Sequence, residues 1–318
     1  MSITVLKPGL MTSLQDRGRR GHMAIGVGRA GPMDELAHRL ANALVGNDPG
    51  AVALEVSLLG PRLRFEADAC IALAGAPFPA RLGGAVLPMW QARTVAAGEV
   101  LDVGALRSGA RACLAVAGGF AVDAVLGSRA CDVNARLGPF GGRPLIAGDV
   151  LPLAAAPRRG DANWSLDPRP WFDPDPERPL RLVRGTHFER LDAASQVALF
   201  EAGFRIAADS NRVGFRLDGP RLSLSTPLET VSEPVAFGTV QLPPGGQPIV
   251  LMAEHPTTGG YPRIGQVAAV DLPRLAQRPP GAPVRFRPIG HDEAEARYLE
   301  RERALARLID RIARRRAG

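Results

Sequence analysis

The sequence predicts a mainly β protein made of two domains. Its 318 residues suit two domains of roughly 150 residues each. Its 36 glycines and 29 prolines leave little room for long helices. Short apolar runs are interrupted by Gly or Pro at intervals of about eight to twelve residues, first over 51–153 and again over 204–288, which is typical of a β-sandwich or β-barrel.

The first half of the chain predicts one helix and then a series of strands. Residues 34–45 place leucines on one helical face, with Asp34 positioned to cap the N-terminus and Gly46 to end the helix. The apolar runs that follow favour short strands. The clearest predicted strands are Ala51–Val56, Arg62–Phe65, Cys70–Leu73, Glu99–Val103, Ala112–Val116 and Asp149–Leu153.

A proline-rich stretch over 156–180 predicts the boundary between the domains, because neither a sheet nor a helix continues easily through so many prolines. We therefore expect an N-terminal domain over 1–155 and a C-terminal domain over 181–290. The second domain predicts a helix over Ala193–Glu201 and a strand over Ile249–Ala253. The last segment, 291–318, predicts a basic helix with one apolar face.

Lysine usage excludes several chemistries, since Lys7 is the only lysine and all other basic residues are arginines. A phosphate-binding loop of the Gly-Lys-Ser/Thr type, Schiff-base catalysis and a covalently attached biotin each require a lysine in a suitable setting. The net charge of +7 raises nucleic-acid binding as an alternative. The arginines are scattered apart from Arg314–Arg316 and aromatics make up only 5%, so we expect no nucleic-acid partner.

Cysteines and histidines predict neither a disulfide framework nor a metal site. Cys70, Cys113 and Cys131 are odd in number and far apart, which is typical of a reducing compartment. The five histidines show no paired ligand spacing. The first residues lack the pattern of a signal peptide and no apolar run reaches the length of a membrane span, so we expect a cytoplasmic protein with no membrane partner.

Residues 26–31 match the GxGxxG pattern of a dinucleotide-binding turn, and Glu55 follows at a plausible distance. A true dinucleotide unit needs a buried strand before the first glycine and a second crossover helix afterwards. Residues 17–22 are too polar for such a strand, and no second crossover helix follows. The pattern therefore favours a glycine-rich turn.

A second constellation lies over 127–132 and continues into the glycine-rich stretch 138–144. Ser128 and Arg129 between glycines could hold a carboxylate or a phosphate. The same residues also fit a structural loop closed by an Arg129–Asp132 pair, and both interpretations stay open. Cys131 has no histidine close in sequence, which disfavours a nucleophilic role.

The third constellation, 254–262, follows the predicted strand that ends at Ala253. Two threonines, a Gly-Gly pair and an aromatic residue after a strand-terminal carboxylate suit a site for a small polar ligand. Either Glu254 or His255 could act as a general base. The alternative is a tight turn in which the threonines cap backbone groups. Further polar groups for this site are expected from 210–212 and from Gln241.

Several motifs, read in order from about residue 2 to 288, together resemble the biotin-dependent carboxyltransferase family, which includes the C-type subunits of 5-oxoprolinase, KipA-like proteins and allophanate hydrolase subunit 2. These motifs are Ser13-Leu-Gln-Asp-Arg-Gly-Arg19, Gly31-Pro-Met-Asp34, Ala41-Asn-Ala-Leu-Val-Gly-Asn47, Gly127-Ser-Arg129, Ser210-Asn-Arg212, Thr257-Thr-Gly-Gly-Tyr-Pro262 and Ala276-Gln277. The resemblance implies two cyclophilin-like β-barrel domains with a few short helices and a C-terminal helix.

The resemblance also implies a function: one subunit of an ATP-dependent 5-oxoprolinase that opens 5-oxoproline to L-glutamate. The implied partners are two companion subunits, one KipI-like and one LamB/YcsF-like, with ATP bound in the complex and any biotin carried by another chain. The alternatives are a KipA-like regulatory protein that binds a KipI-like partner, and the carboxyltransferase component of an enzyme of the urea carboxylase or allophanate type.

The resemblance places site residues in both domains. The implied catalytic residues are Arg212, Glu254 and Tyr261. The implied substrate-binding residues are Asn211, Gln241, Thr257, Thr258, Gly259 and Gly260 in the second domain, and Gln15, Asp16, Arg17, Arg129 and Asp132 in the first. Two departures from the family pattern, Glu254 with Pro256 and Ala130 with Cys131, replace groups that the family usually has there.

Overall fold

Short strands make up most of the regular structure, which confirms the prediction of a mainly β protein. The computed structural model describes residues 1–154, 162–173, 175–228 and 230–317. Part of the predicted 156–180 linker lies outside these residues. Contacts divide the chain into two units, and each is discontinuous in sequence. Unit 1 comprises Met1–Arg20, Ala30–Pro174 and Leu305–Gly318, and unit 2 comprises Gly21–Arg29 and Asp175–Ala304.

These units differ from the predicted domains 1–155 and 181–290 in two respects. The short segment Gly21–Arg29 belongs to unit 2 although it lies near the start of the chain. The terminal helix belongs to both units, since its residues up to Ala304 are in unit 2 and those from Leu305 are in unit 1. Neither of these unit assignments could be predicted from composition, because the sequence shows no change in composition at Gly21, Ala30 or Leu305.

The described residues of unit 1 form one helix of its own and eleven strands. The strands are β1 (Ser2–Lys7), β2 (Met11–Gln15), β3 (Ala53–Ser57), β4 (Arg62–Phe65), β5 (Ala69–Gly75), β6 (Arg81–Leu82), β7 (Ala85–Val86), β8 (Arg93–Val95), β9 (Val100–Asp102), β10 (Arg111–Val116) and β11 (Val150–Pro152). A six-stranded sheet has the order β11-β1-β4-β9-β6-β7, and a five-stranded sheet has the order β2-β3-β10-β5-β8. Both sheets are antiparallel throughout.

Alternation along the strands of the five-stranded sheet explains its two buried faces. In β5, Ile71 and Leu73 pack into a core shared with β1 and β4 of the other sheet. Cys70 and Ala72 face the opposite way, toward the helix. Successive strand residues point to opposite faces, so large side chains fill the space between the sheets and small ones let the helix approach. Burial on both faces makes β5 an almost uninterrupted apolar run.

Helix α1 (Glu35–Val45) confirms the predicted helix over 34–45. The Asp34 carboxylate accepts a hydrogen bond from the Ala37 backbone N–H at 3.0 Å, as an N-cap does. Gly46 ends the helix with φ of 80°, in the left-handed region that favours glycine. The apolar side of α1 packs against the alanine and cysteine face of the five-stranded sheet. Strands β1 and β2 were not among the clearest predicted strands, although Ile3 and Val5 already show the alternation of a strand.

The described residues of unit 2 form ten strands and two helices of its own. The strands are β12 (Leu180–Arg184), β13 (Phe204–Ile206), β14 (Gly214–Asp218), β15 (Glu233–Pro234), β16 (Thr239–Gln241), β17 (Ile249–Leu251), β18 (Thr258–Gly259), β19 (Arg263–Val267), β20 (Pro283–Val284) and β21 (Phe286–Pro288). Eight of them form one sheet in the order β20-β13-β14-β17-β16-β19-β12-β21, and β15 pairs with β18 as a separate two-stranded arm.

The helices of the second half are α2 (Ala193–Glu201), α3 (Leu272–Ala276) and α4 (His291–Ala317). The bounds of α2 agree with the prediction, and Asp192 caps it by accepting from the Ser195 N–H at 2.7 Å. The predicted C-terminal helix is confirmed as α4. The predicted strand over Ile249–Ala253 is shorter, because the chain turns at Ala253 and Glu254. Within the described residues, no helix combines the length and apolar character that crossing a membrane requires.

Candidate functional site

A buried ion pair in unit 2 joins two of the predicted catalytic residues. Arg212 precedes β14, and Glu254 follows β17, which is antiparallel to β14. The Glu254 backbone N–H donates to the Arg212 carbonyl at 2.8 Å, and the Arg212 Nε donates to Glu254 Oε1 at 2.5 Å. Both side chains are almost fully buried. A charge-assisted bond of this kind is strong and fixes both groups in place.

His255 lies next to this pair and is also buried. Its Nδ1 is 2.7 Å from the carbonyl oxygen of Pro256, which can only accept, so Nδ1 carries the proton and Nε2 is left as an acceptor. Burial lowers the pKa of His255, the hydrogen bond to the Pro256 carbonyl works against this shift, and the positive charge of Arg29 lowers the pKa further. The ring is therefore neutral at neutral pH and can take up a proton at Nε2.

Ser210 and Asn211 form the turn that precedes β14. Asn211 Oδ1 accepts from the Val213 N–H at 2.8 Å, and Ser210 Oγ accepts from the Arg216 N–H at 3.0 Å. The Asn211 bond is of the kind that defines an Asx turn, and the Ser210 bond links the turn to β14. Asn211 is predicted to bind substrate, but its carbonyl oxygen serves the turn that holds Arg212.

The run from Thr257 to Tyr261 contains β18, the second strand of the small two-stranded arm. Gln241, on β16, donates from Nε2 to the Tyr261 carbonyl at 3.4 Å. A Cβ atom at Gly259 would clash with that same nitrogen, so glycine is what allows the amide of Gln241 to lie against the arm. Gly260 is held from the other side, where its carbonyl accepts from the Thr230 hydroxyl.

The arm presents polar groups outward. The hydroxyls of Thr257 and Thr258 form no hydrogen bond within the described part of the chain, so the alternative in which they cap backbone groups is not what the structure has. Tyr261 is 46% exposed. Gln241 pairs with Ile249 at the start of β17, whereas Glu254 follows the end of that strand. The predicted residues of unit 2 thus form two groups, one near the start of β17 and one after its end.

Asp16 organises the predicted site of unit 1. Its Oδ1 accepts from the Gly18 N–H at 2.9 Å and from the Ser128 hydroxyl at 2.5 Å. Its Oδ2 accepts from the Arg129 backbone N–H at 2.6 Å. One carboxylate therefore ties the turn after β2 to the loop over 127–132, although the two are far apart in sequence. Asp16 and the loop therefore lie together.

The Arg129–Asp132 pair of the structural alternative does not form. Arg129 Nε donates to the Val122 carbonyl at 2.7 Å, and Asp132 Oδ1 caps the N–H of Ala135 at 2.9 Å. The loop is closed by Asp16 instead, which sequence reasoning could not identify because the partner lies 112 residues from Ser128.

Gln15 and Arg17, on either side of Asp16, point to different partners. Gln15 is fully buried and donates from Nε2 to the Ser13 hydroxyl at 2.9 Å and to the Cys131 carbonyl at 3.0 Å. Arg17 forms a partly exposed ion pair with Glu35 at 3.2 Å. The Cys131 thiol is buried and lies 3.4 Å from the Pro139 carbonyl, which agrees with a packing role and not with that of an accessible nucleophile.

Of the three glycines of the GxGxxG pattern, Gly26 lies in a turn, as expected. Gly26 ends a short 3-10 turn over Met23–Ile25, with φ of 81°. The residues immediately before Gly26, Met23–Ile25, therefore do not form the strand that precedes the first glycine of a dinucleotide-binding unit. The first two glycines of the pattern belong to unit 2 and the last to unit 1. A dinucleotide-binding unit, in which one βαβ segment carries all three glycines, is thereby excluded.

Several polar residues with unusual environments were missed. His38 on α1 is fully buried, has its Nε2 3.1 Å from the Gln15 carbonyl, and its burial lowers its pKa. Glu55 is buried and accepts from the Met33 N–H at 2.7 Å. Arg19 is 1% exposed. A buried charged residue gives little local signal in a sequence rich in arginine. Among the described residues, no three His, Cys, Asp or Glu side chains are grouped to hold a metal ion.

Two mainly β units, each with a cluster of buried polar side chains, define a two-unit β protein with a candidate small-molecule site in each unit. The chain matches the model of the family "Carboxyltransferase domain, subdomain A and B" over residues 25–288. This match covers most of the chain, and the protein belongs to that family, as its motifs predicted.

Similarity to known proteins points in two directions. The chain is 36% identical to the C-type subunit of 5-oxoprolinase from Escherichia coli (strain K12), and the alignment covers 98% of both chains. It is 30% identical to urea amidolyase of Saccharomyces cerevisiae, over 93% of this chain but only 17% of that protein. The solved structure of K. lactis urea amidolyase has a TM-score of 0.88 at 28% identity, covering 98% of this chain and 20% of that one. TTHA0988 has a TM-score of 0.78 at 37% identity, covering 90% of this chain and 55% of that one.

Proposed function

We propose that this protein is the C-type subunit of an ATP-dependent 5-oxoprolinase, which converts 5-oxoproline to L-glutamate together with two companion subunits. The observation that carries the proposal is the similarity, over 98% of both chains, to the C-type 5-oxoprolinase subunit from Escherichia coli. Urea amidolyase is much longer than this chain, which matches only 17% of it. The end-to-end match therefore favours the oxoprolinase role.

The reaction consumes 5-oxoproline, ATP and two molecules of water, and it yields glutamate, ADP and phosphate. A lactam carbonyl is a weak electrophile, and transfer of phosphate to its oxygen creates a leaving group. A first water, which must lose a proton, then attacks the phosphorylated carbon, and the ring C–N bond breaks as its nitrogen gains a proton, which leaves an acyl phosphate of glutamate. The second water hydrolyses this acyl phosphate to glutamate and phosphate. A neutral, buried imidazole whose Nε2 is an acceptor is suited to the first of these proton transfers.

We assign that proton transfer to His255. Glu254 is a less suitable base, because its Oε1 already accepts from Arg212 at 2.5 Å. In this proposal the Arg212–Glu254 pair is a rigid, charged support beside the imidazole, and the guanidinium of Arg212 places positive charge where an oxyanion develops. The hydroxyls of the half-buried Thr257 and the exposed Thr258, with the phenol of Tyr261, would bind the polar edge of the lactam.

ATP is expected to bind to one of the companion proteins. Lys7 is exposed at the end of β1, so it is not placed to contact nucleotide phosphates as the lysine of a phosphate-binding loop does. The residues of this chain do not fit a nucleotide site of that type, and no step of the proposal uses one here. The expected companions are a KipI-like protein and a LamB/YcsF-like protein.

The proposal is tested by measuring ADP and glutamate formation from 5-oxoproline and ATP, using the two companion proteins with this chain added or omitted. We expect glutamate only when this chain is present. The His255→Gln variant should join the complex but support little turnover. Equal activity with and without this chain would contradict the proposal.

The carboxyltransferase component of a urea carboxylase is the second candidate, because urea amidolyase relatives match nearly the whole of this chain at 30% identity. That reaction needs biotin on another chain, whereas 5-oxoproline hydrolysis as written does not. Avidin added to the reconstituted complex separates the two, since it should abolish a carboxyl transfer and leave the lactam hydrolysis unchanged. A KipA-like regulatory role would instead give a stable complex with the KipI-like protein and no change in glutamate formation.

A further inference from the structure

Arg19 in unit 1 is a buried cation without a counter-charge. Its side chain is 1% exposed, and its Nη2 donates to the Ala130 carbonyl at 2.5 Å. Nε and Nη1 are buried and have no hydrogen-bond partner in the part of the chain that the structure describes. Among the described residues, no carboxylate forms an ion pair with this guanidinium. Buried arginines are normally paired with an anion, because desolvating the charge is costly unless it is compensated.

The surroundings of Arg19 are polar. Arg19 and Gln15 donate to the consecutive carbonyls of Ala130 and Cys131. These carbonyls belong to the loop that Asp16 holds through the Ser128 hydroxyl and the Arg129 N–H. Gln15 Oε1 is another buried polar atom without a partner among the described residues. Of the two side chains that donate to this loop, Arg19 thus keeps donor capacity, and Gln15 keeps acceptor capacity, that the described residues do not use.

A strained glycine-rich loop lies against the guanidinium. A Cβ atom at Gly138 would be 3.1 Å from Arg19 Nη2 and would clash with the Ala130 carbonyl oxygen, so only glycine allows this approach. Phe140 has φ of 55°, in the left-handed region that bulky residues rarely adopt. Backbone strain of this kind concentrates at ligand-binding sites. The far end of the loop is anchored by the two hydrogen bonds of Arg143 to Asp149, both of 2.7 Å.

We propose that Arg19 is the cation of an oxyanion-binding site in unit 1, beneath the 138–142 loop. Its ligand is the carboxylate of a small acid or a phosphate group, since both accept charge-assisted hydrogen bonds from a guanidinium. The identification of that carboxylate as the one on 5-oxoproline rests on the proposed function. The oxyanion site itself does not, and urea, which is uncharged, would leave Arg19 without a partner.

The experiment measures binding by isothermal titration calorimetry and by thermal unfolding, using the full chain without its companions or ATP. The probes are 5-oxoproline, 2-pyrrolidinone, which is the same lactam without the carboxylate, and inorganic phosphate. The variants are Arg19→Gln and Arg20→Gln. Arg20 is the exposed neighbour, so its substitution removes the same charge from the surface and serves as the matched control.

We expect 5-oxoproline, phosphate or both to bind wild type and Arg20→Gln equally, and to bind Arg19→Gln about 10- to 100-fold more weakly, as expected for loss of a charge-assisted hydrogen bond. 2-Pyrrolidinone should bind all three proteins equally weakly. Binding of 5-oxoproline alone identifies the carboxylate of the substrate, and binding of phosphate identifies a phosphoryl group.

The proposal is overturned if neither anion binds, if Arg19→Gln binds them as wild type does, or if 2-pyrrolidinone binds as tightly as 5-oxoproline. Unliganded Arg19→Gln should melt no lower than wild type, because it removes an unpaired buried charge. If that variant fails to fold, the proposal is overturned in favour of a structural role unless Arg19→Lys folds and still binds the anion. Glutamate formation by the complex is measured separately, so failure of either proposal is recognised independently.

Discussion

Replacing Glu254 by glutamine would separate a structural role of the Arg212–Glu254 pair from a chemical one. Glutamine keeps the shape of the side chain but removes the charge that neutralises the buried Arg212 guanidinium. Both side chains are almost fully buried, at 7% and 1% exposure. Removing one partner of such a pair costs about 3–5 kcal/mol, which is a large share of the typical free energy of unfolding of about 5–15 kcal/mol.

The matched control is Glu233→Gln, which removes the partner of Arg263 in the same unit. That pair is partly exposed, at 27% for Arg263 and 45% for Glu233. Water screens an exposed pair, so its loss should cost about 0–1 kcal/mol. The two variants therefore remove the same charge from two arginine pairs that differ mainly in burial.

The measurement is urea unfolding of the full chain followed by far-ultraviolet circular dichroism. Tryptophan fluorescence is unsuitable alone, because Trp90, Trp164 and Trp171 all belong to unit 1. With a slope of about 2 kcal/mol per molar urea, a loss of about 3 kcal/mol lowers the midpoint by about 1.5 M. If the urea midpoint of Glu254→Gln is as close to that of wild type as the midpoint of Glu233→Gln is, the claim that burial makes the Arg212–Glu254 pair stabilising is refuted. If such a stable Glu254→Gln variant is also inactive, Glu254 takes part in the chemical reaction.

Three further outcomes are expected. Gly259→Ala should fold with nearly unchanged stability, since the added Cβ meets the movable amide of Gln241, but it should raise the KM for 5-oxoproline in the reconstituted complex. Asp271→Asn should lower the free energy of unfolding at pH 7 by about 3–5 kcal/mol. Burial raises the pKa of Asp271, but the bonds from Arg181 outweigh this effect and lower the pKa. The wild type therefore loses this stabilisation only as the pH falls below about 4, where the unfolding midpoints of wild type and variant should converge. In the proposed mechanism the neutral His255 ring is the active form, and its pKa is lowered, so kcat should be constant above about pH 6.5 and fall at lower pH. His255→Gln should then lower kcat by about 100-fold or more and remove the fall at low pH.

Features with local causes could be predicted from the sequence. Helix α1 is determined within its own ends, by the Asp34 cap and by the left-handed Gly46. Helix α2 likewise begins at the Asp192 cap. In both cases the residue that decides the boundary lies within a few positions of it, so composition and spacing are sufficient.

Features that depend on residues far apart in the sequence could not be predicted. The loop over 127–132 looked self-contained, but its closing carboxylate is Asp16. The candidate substrate residue Asn211 is used by its own turn, which only coordinates can show. Gln241 and Gly259 were both predicted, yet their dependence on each other follows from the close approach of β16 to the two-stranded arm. Which residues occupy a site is a property of pairing between remote segments, and a single sequence carries little information about it.

The stretches Gln15-Asp16-Arg17-Gly18 and Ser210-Asn211-Arg212-Val213-Gly214 are faintly similar in sequence, and this similarity has a structural counterpart. Asp16 Oδ1 accepts from the N–H two residues on, at 2.9 Å, and Asn211 Oδ1 does the same at 2.8 Å. The two turns therefore share one geometry but differ in charge. The carboxylate of Asp16 has acceptor sites left for Ser128 and the Arg129 N–H, whereas the single carbonyl oxygen of Asn211 serves only its own turn. In unit 1 the carboxylate of Asp16 thereby organises the loop whose Ala130 carbonyl accepts from Arg19, and Arg19 has no carboxylate partner among the described residues. In unit 2 the turn is uncharged at Asn211, and Glu254 neutralises the neighbouring Arg212. In our two proposals, the same turn thus supports an anion-binding site in unit 1 and a charge-balanced proton-transfer site in unit 2.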